Sequence, residues 1–275
     1  MSAEALLARA RSWLFVPGSR IERLAKALAS GADAVIIDLE DAVAPEHKLS
    51  ARAAVVAALD GLAPAVPLVL RINGTDTAWW QDDAALARHA AFAALLLPKA
   101  DSSAQIAEVN AASADKPLLA LVETAVGMSQ VRQIAAAPGV RRLVFGSIDF
   151  QLDMDISDDD LALLPFRAQL VLASRVARLP PPVDGVTTVL DDPICIQAEA
   201  RRARSLGFGG KLCIHPRQVA PTNTAFSTSA DELAWAKRVV AAASGANGAA
   251  VAVDGKMVDA PVLARALRLL RSPAG

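Results

Sequence analysis

Residues 118–123 read LLALVE, a run of apolar residues followed at once by a carboxylate. Two further apolar runs end in a charged residue: residues 68–71 read LVLR, and residues 143–149 read LVFGSID. A buried strand that ends in a charged residue presents it to a site at the carboxyl edge of a parallel sheet. Two carboxylates and one guanidinium at one edge suit a hard divalent cation and an anionic, oxygen-rich substrate.

The apolar runs are short, nearly continuous and separated by Ala- and Leu-rich segments of helical period. Continuous apolarity indicates strands of a parallel sheet covered on both faces, and about eight such runs predict an α/β fold, the (β/α)8 or TIM barrel. A doubly wound open sheet is the alternative, but residues 15–20 lack its glycine-rich phosphate turn. The predicted strands are residues 13–16, 34–37, 68–70, 94–97, 118–122, 143–145, 185–189 and 211–214.

The pattern changes near the C-terminus. We therefore predict a barrel domain of residues 1–228 and a helical extension of residues 229–275. The pair Asp254-Gly255 is a strong turn signal inside this extension. We expect the extension to cover a barrel mouth, either its own or that of a neighbouring subunit. Its predicted elements are helices at residues 231–243 and 260–271 and a hairpin at residues 249–257.

The composition argues against several classes of function. The chain has 275 residues, 53% of them hydrophobic, and a formal net charge of -1. This charge argues against a nucleic-acid partner, because broad phosphate binding needs a basic surface. The apolar runs are too short to cross a bilayer, and residues 1–13 lack the apolar core of a signal peptide, so we expect a cytoplasmic protein without a membrane partner. Cys195 and Cys213 are expected to be buried free thiols.

The strongest chemical signal is a pair of acids, Glu123 and Asp149, which follow consecutive predicted strands. Adjacent strands lie about 4.8 Å apart, so two such side chains can share one ion. Mg²⁺ uses one or two protein carboxylates and fills its octahedron with water and substrate oxygens. The alternative is that Glu123 caps a helix and Asp149 pairs with an arginine. Arg71 can bind a carboxylate or stabilise an enolate oxygen, and its alternative is a structural ion pair.

Other polar residues follow the remaining predicted strands. In the cluster of Asp38, Glu40 and Asp41, one acid can orient Arg20 or Arg71 and another can cap the next helix, and direct catalysis by one of them is the alternative. Lys99 is either a solvated lysine of the rim or a substrate contact. His215 is either an acid–base group or a hydrogen-bonding residue without a catalytic role.

Six short motifs stand in order at the predicted strand ends: FVPGSR (residues 15–20), DLEDAV (38–43), LRIN (70–73), LPK (97–99), VETA (122–125) and GKLCIHP (210–216). Each motif alone is weak, but the ordered set is highly specific. It resembles the citrate lyase β-subunit-like family, which is part of the wider HpcH/HpaI aldolase group. The resemblance extends from about residue 11 to residue 266.

The resemblance implies a TIM barrel of the phosphoenolpyruvate/pyruvate type, assembled as a homo-oligomer and often as a trimer. It implies Mg²⁺ held by Glu123 and Asp149. It also implies a substrate held by Arg71 and Glu123, and we assign Arg20 and Lys99 to substrate binding with them.

In relatives that act on coenzyme A esters, an acid of the C-terminal region reaches into the neighbouring subunit's site. Asp259 stands at the matching place, although it can also cap the last helix, and we assign it a catalytic role beside Arg71 and Glu123. The implied reaction makes or breaks a carbon–carbon bond of a citryl, malyl or citramalyl thioester. The expected partners are an acyl thioester of coenzyme A or an acyl-carrier protein, and an α-keto acid such as oxaloacetate, glyoxylate or pyruvate.

One motif departs from the family pattern. Many relatives read roughly GxxDLxxDLG after the sixth strand, whereas residues 146–155 here read GSIDFQLDMD. The metal-binding acid is kept and the surrounding pocket is altered, which concerns the substrate rather than the ion. The role of Asp153 stays open.

Other functions stay open at this stage. They are a citrate lyase β subunit that needs an acyl-carrier partner, an aldolase that acts on free hydroxy keto acids, and a barrel that binds keto acid and metal without turnover. The residues do not fix the acyl group, or whether the chain acts as lyase, synthase or thioesterase.

Overall fold

The computed structural model describes residues 1–157, 161–244 and 251–271. The chain divides into two compact units, Met1–Phe226 and Ser227–Gly275. The first unit contains a closed barrel of eight parallel strands, which confirms the (β/α)8 prediction. Within the described residues, no helix is both long enough and apolar enough to span a membrane.

The barrel strands are β1 (Ser12–Pro17), β2 (Ala34–Asp38), β3 (Leu68–Arg71), β4 (Phe92–Leu97), β5 (Leu118–Val122), β6 (Val140–Phe145), β7 (Val183–Asp184) and β8 (Gly210–Cys213). They pair in chain order, and β8 closes on β1. Parallel pairing places all their carboxyl ends at one rim. In the register of β2 and β3, Asp38 lies beside Arg71 at that rim.

Eleven helices belong to the barrel unit as it is described: α1 (Ala3–Arg9), α2 (Leu24–Leu28), α3 (Lys48–Ala58), α4 (Trp80–Leu86), α5 (Ser103–Ala112), α6 (Ala125–Ser129), α7 (Val131–Ala136), α8 (Ser147–Asp153), α9 (Leu164–Val176), α10 (Pro193–Leu206) and α11 (Val219–Phe226). Short 3-10 turns at Gly18–Arg23, Pro45–His47 and Pro216–Gln218 supplement them. Helix α10 shows how local sequence sets an end, because the Asp192 side chain accepts from two backbone N–H groups of its first turn.

Each strand buries both of its faces. On β2, Ile36 belongs to an apolar cluster that contains Trp13, Leu121 and other inward residues of the strands. Its neighbours Val35 and Ile37 belong to the larger cluster that includes helix residues. Because both faces are buried, the strand reads as an unbroken apolar run, as parallel sheets require.

The seventh strand was predicted in the wrong place. Strand β7 consists of Val183–Asp184, and the predicted run at residues 185–189 lies in the loop that follows. The carbonyls of Thr187 and Val189 in that loop accept hydrogen bonds from the Gln218 side chain at 2.8 Å each, not from a neighbouring strand.

Asp149 does not end a strand, contrary to the sequence-based expectation. Strand β6 ends at Phe145, and Gly146 then leaves the extended conformation (φ -91°, ψ 74°) as the N-cap of α8. Asp149 therefore lies in the first turn of that helix.

The second unit contains α12 (Ala230–Ser244), the antiparallel strands β9 (Val251–Val253) and β10 (Lys256–Val258), and α13 (Ala260–Arg271). The predicted hairpin is confirmed: Asp254 and Gly255 form its turn with φ of 53° and 72°. Residues 249 and 250 of the predicted hairpin lie outside the described residues. The small apolar core of this second unit comprises Ala236, Val239, Val258 and Ala266.

Candidate active site

A cavity of about 500 Å³ opens at the carboxyl rim of the barrel. Arg71, Glu123 and Asp149 all line it, together with Phe15 and Phe145. The structure thus brings together the three residues on which the sequence-based site prediction depended. Apolar walls around a few convergent charged groups are typical of a small-molecule site.

Arg71 is the last residue of β3 and is almost buried, with 8% exposure. Its Nε and Nη2 donate to the two carboxylate oxygens of Asp38 at 2.7 and 2.6 Å. Its guanidinium carbon lies 4.9 Å from the ring centroid of Phe15. Burial alone would lower the pKa of Arg71, but the charge and hydrogen bonds of Asp38 raise it above its ordinary value, so the group stays cationic.

Two further acids reach the same guanidinium from the turn after β2. Glu40 Oε2 lies 3.0 Å from Arg71 Nη1, and Nη1 donates to Asp41 Oδ2 at 3.1 Å. Asp38 holds this turn by accepting from the backbone N–H of Glu40 at 2.8 Å and of Ala42 at 3.1 Å. The sequence-based idea that an acid of this cluster orients Arg71 agrees with this geometry.

Glu123 follows β5 directly and is almost fully buried. Its Oε1 accepts from the backbone N–H of Lys99 at 2.8 Å, whereas its Oε2 is buried without a hydrogen-bond partner among the residues that the structure describes. A Cβ at position 146 would collide with Oε2, so Gly146 makes room for the carboxylate. Burial raises the pKa of Glu123 well above its ordinary value, and the charge of Glu40 raises it further.

Lys99 holds Glu123 through an unusual backbone conformation. Its φ is 45°, in the left-handed region that residues other than glycine rarely adopt. Its Nζ lies 3.0 Å from Glu40 Oε1, so the side chain is engaged by an acid of the site. Neither this backbone hydrogen bond nor the need for Gly146 has a recognisable signal in a single sequence.

The remaining predicted residues lie elsewhere. Arg20 lies in the exposed turn after β1, where its Nε pairs with Glu22 at 2.6 Å, and it is not among the residues that line the cavity. Asp259 accepts from the backbone N–H of Val262 at 3.2 Å and thus caps α13 in the second unit. The assignments of Arg20 to substrate binding and of Asp259 to catalysis stay predictions.

Two residues of undecided role have structural contacts. Asp153 accepts from the backbone N–H of Ala125 at 2.6 Å, at the start of α6. His215 Nδ1 accepts from the backbone N–H of Arg217 at 3.2 Å and caps the turn after β8. This is the hydrogen-bonding alternative for His215.

The donor set fits a cation that needs few protein ligands. Across residues 1–157, 161–244 and 251–271, no cluster of three or more His, Cys, Asp or Glu side chains could hold a metal by itself. Glu123 and Asp149 offer two carboxylates to one cavity, and within these ranges the buried Glu123 Oε2 has no hydrogen-bond partner. Mg²⁺ is held in this way, with water and substrate completing its shell.

A closed β/α barrel with two acids and an arginine at its carboxyl rim defines a TIM-barrel protein whose rim suits a cation and an anionic oxygen ligand. The chain belongs to the HpcH/HpaI aldolase/citrate lyase family, whose family model matches residues 11–216. This match confirms the family resemblance seen in the motifs.

Named relatives cover nearly the whole chain. A (3S)-malyl-CoA thioesterase of Cereibacter sphaeroides is 38% identical over 255 residues, which are 90% of this chain and 89% of the relative. A citrate lyase subunit beta-like protein of Mycobacterium tuberculosis is 38% identical over 97% of this chain and 96% of its own length. The crystal structure of CitE from M. tuberculosis in complex with magnesium, acetoacetate and coenzyme A superposes with a TM-score of 0.86 at 37% identity, covering 96% of this chain and 98% of that chain.

Proposed function

We propose that this protein is a Mg²⁺-dependent carbon–carbon lyase that acts on a hydroxy-dicarboxylic or hydroxy-tricarboxylic acyl thioester, such as malyl-, citramalyl- or citryl-CoA. The products are an α-keto acid and an acetyl thioester. The observation that carries the proposal is the convergence of Arg71, Glu123 and Asp149 on one cavity. The family and the ligands named for the M. tuberculosis CitE structure support it.

In the proposed site Glu123 and Asp149 hold Mg²⁺. The bound ion would supply Lewis-acid polarisation of the oxygen at which the keto group forms. Glu123 suits this role because the Lys99 N–H fixes its Oε1, and its Oε2 has no hydrogen-bond partner in the described part of the chain. The Gly146 position keeps the space beside Oε2 free of a side chain.

In this proposal Arg71 binds a carboxylate oxygen of the keto-acid part of the substrate, and it stabilises the enolate oxygen of the departing acetyl thioester. Its guanidinium is fixed by both oxygens of Asp38 and stays cationic, so it is oriented before the substrate arrives. Donors oriented in advance are worth more than mobile ones, because no reorganisation is needed when charge develops. Phe15 and Phe145 line the cavity and reduce the water around that charge.

Asp259 is proposed to act in the site of a neighbouring subunit of a homo-oligomer, which we take to be a trimer. Mixing an Asp259→Asn variant with a Glu123→Ala variant tests this. If the two residues come from different chains, random reassembly restores about a quarter of the sites. If they serve the same chain, no activity returns.

Thioester hydrolysis is the second candidate reaction, because a relative at 38% identity is named a malyl-CoA thioesterase. The two reactions differ in which bond breaks. A lyase releases glyoxylate and acetyl-CoA from malyl-CoA, whereas a thioesterase releases malate and free coenzyme A.

A panel of malyl-, citramalyl- and citryl-CoA, assayed with and without Mg²⁺, tests both reactions. We expect keto acid, trapped as its phenylhydrazone, to appear in a Mg²⁺-dependent way from at least one thioester. Free thiol without keto acid would favour the thioesterase. Turnover only of a free hydroxy keto acid would favour an aldolase, and turnover only with an added acyl-carrier protein a citrate lyase β subunit. No turnover with any of them would contradict the enzyme proposal.

We also propose that the protein acts in the cytoplasm. Cys195 and Cys213 are both free thiols, which fits a reducing compartment. Cys213 is buried as expected, whereas Cys195 is partly exposed, because α10 turns it toward the surface beside Glu199. Cell fractionation should recover the protein with cytoplasmic enzymes, and recovery with secreted proteins would contradict the proposal.

A further inference from the structure

The guanidinium that the substrate is proposed to use is crowded by carboxylates in this structure. Arg71 donates three hydrogen bonds, two to Asp38 and one to Asp41, and makes an ion pair with Glu40. An incoming oxygen anion at Nη1 therefore meets a position that acids of the protein already occupy.

The three acids are not equally fixed. Asp38 is buried and also accepts from two backbone N–H groups. Glu40 is buried and also pairs with Lys99 at 3.0 Å. The side chain of Asp41 is 55% exposed, and among the described residues its polar contact is the ion pair with Arg71 at 3.1 Å. Asp41 is thus the acid that can leave Arg71 at the least cost.

A second cavity beside the active site can receive the Asp41 carboxylate when it leaves Arg71. Asp41 lines the active-site cavity and also a neighbouring cavity of about 240 Å³. Lys48 and Lys99 line this second cavity, and each has a favourable electrostatic interaction with Asp41. The backbone of the turn can stay in place, because Asp38 holds it through the N–H of Ala42.

We propose that Asp41 is an internal competitor of the substrate: its carboxylate occupies Arg71 Nη1 in the free protein and is exchanged there for an oxygen of the anionic substrate. On binding, the side chain turns toward Lys48 and Lys99. A carboxylate or the substrate anion therefore neutralises Arg71 both in the free protein and in the complex. Asp41 sets the affinity for the anion, but it takes no part in bond cleavage. The inference rests on the proposed function, since it assigns Arg71 to substrate binding.

Pyruvate binding in the presence of Mg²⁺, measured by isothermal titration calorimetry, tests the exchange. Asp41→Asn removes the charge and keeps the shape, and Asp41→Ala removes the competitor entirely. We expect both variants to bind pyruvate more tightly than the wild type, by roughly three- to tenfold, since an ion pair with one exposed partner is of modest strength. If Asp41 instead orients Arg71, both variants bind more weakly.

Glu46→Gln is the matched control, because it removes one negative charge from the same connection between β2 and α3 without touching Arg71. Its dissociation constant should stay within about twofold of the wild type, since an exposed charge beyond a contact is screened. Tightening in this control equal to that in Asp41→Asn would overturn the exchange in favour of a general charge effect. Unchanged or weaker binding in both Asp41 variants, while the wild type binds, overturns the inference alone. If the wild type binds none of pyruvate, oxaloacetate and glyoxylate in the same titration, the proposed function fails and this inference fails with it.

Discussion

Two buried arginines lie at opposite ends of the barrel, and each packs against an aromatic ring of β1. Arg71 ends β3 at the carboxyl rim and lies over Phe15, with 4.9 Å between guanidinium carbon and ring centroid. Arg142 lies near the amino end of β6 and over Trp13, at 5.4 Å. The residue type, the burial and the stacking are alike, so the hydrogen-bond acceptors make the difference.

The acceptors of Arg142 are main-chain carbonyls. Nη1 donates to the oxygens of Leu7 at 2.8 Å and Ala10 at 3.0 Å, and Nε donates to that of Pro181 at 2.7 Å. Burial lowers the pKa of Arg142 to about 9, so it is still charged at neutral pH. Carbonyls fixed in the fold cannot be exchanged for a ligand, whereas the carboxylates around Arg71 include Asp41, for which we propose such an exchange. We therefore infer that Arg142 stabilises the barrel, and the proposed function assigns Arg71 to the site.

The largest expected effects lie at the carboxyl end. Glu123→Ala and Asp149→Ala should each abolish Mg²⁺-dependent turnover, because each change removes one of the ion's two proposed protein ligands and leaves its position against the substrate unfixed. Thioester cleavage measured across a Mg²⁺ titration, with circular dichroism to verify the fold, checks this. Metal-stimulated activity that survives in either variant would remove these acids from the site.

The second-largest effect is the difference in kinetics between lysine substitutions of the two arginines. Arg71→Lys should lower kcat/KM by roughly 10²- to 10³-fold, because a point charge cannot bind both Asp38 oxygens and also the substrate. Arg142→Lys is the same change at the amino end and should leave kcat of the folded protein within about twofold, since it acts on the fold. Similar losses of kcat/KM in both variants would contradict the assignment of Arg71 to the site and of Arg142 to the fold.

Substitution of Arg142 should lower the free energy of unfolding more than substitution of Arg71 does. Arg142→Met removes the hydrogen bonds to the buried carbonyls of Leu7 and Ala10 and to the part-buried carbonyl of Pro181. We expect a loss of roughly 3–5 kcal/mol in the free energy of unfolding. Urea unfolding followed by tryptophan fluorescence measures it, and the kcat of the folded fraction should not change. A loss below about 1 kcal/mol would mean that water satisfies the carbonyls and that Arg142 is not needed for the fold.

Strand ends were the part of the site that the sequence could predict. Arg71 and Glu123 directly end or follow apolar runs, and the barrel converts that pattern into a common rim. Asp149 was found by the same argument although it lies in α8, because only Gly146, Ser147 and Ile148 separate it from β6. The strand β7 was misplaced because its residues are few and the apolar loop after it resembles a strand.

Contacts that depend on backbone conformation or on distant carbonyls could not be predicted. The left-handed φ of Lys99 leaves no trace in composition, since lysine has no preference for it. Arg142 interrupts β6 with a charge, and its three carbonyl acceptors lie in segments remote from it along the chain. Periodicity identifies which faces are buried, but it does not identify which backbone groups meet a buried cation.

The smallest predicted effect is a pH dependence of Mg²⁺ binding at the carboxyl end. Burial and the charge of Glu40 raise the pKa of Glu123, so a proton competes with the ion. The dissociation constant for Mg²⁺ should therefore rise as pH falls through the raised pKa, by up to about tenfold per pH unit. Calorimetric Mg²⁺ titrations in a series of buffers measure this, and a dissociation constant that does not change with pH would contradict it.

The same raised pKa has a consequence for stability. In the free protein, Glu123 contributes stability below the pKa of the unfolded chain, and this contribution is lost as pH rises through the folded pKa. Bound Mg²⁺ offsets the loss, so the increase in Tm caused by Mg²⁺ should grow with pH. Glu123→Gln is the control, because an uncharged amide removes both the titration and the ion. Arg142 stays protonated over the neutral range. The amino end of the barrel should therefore add no pH dependence to the stability near pH 7. A Mg²⁺-induced Tm increase that falls as pH rises would show that Glu123 is not the titrating ligand.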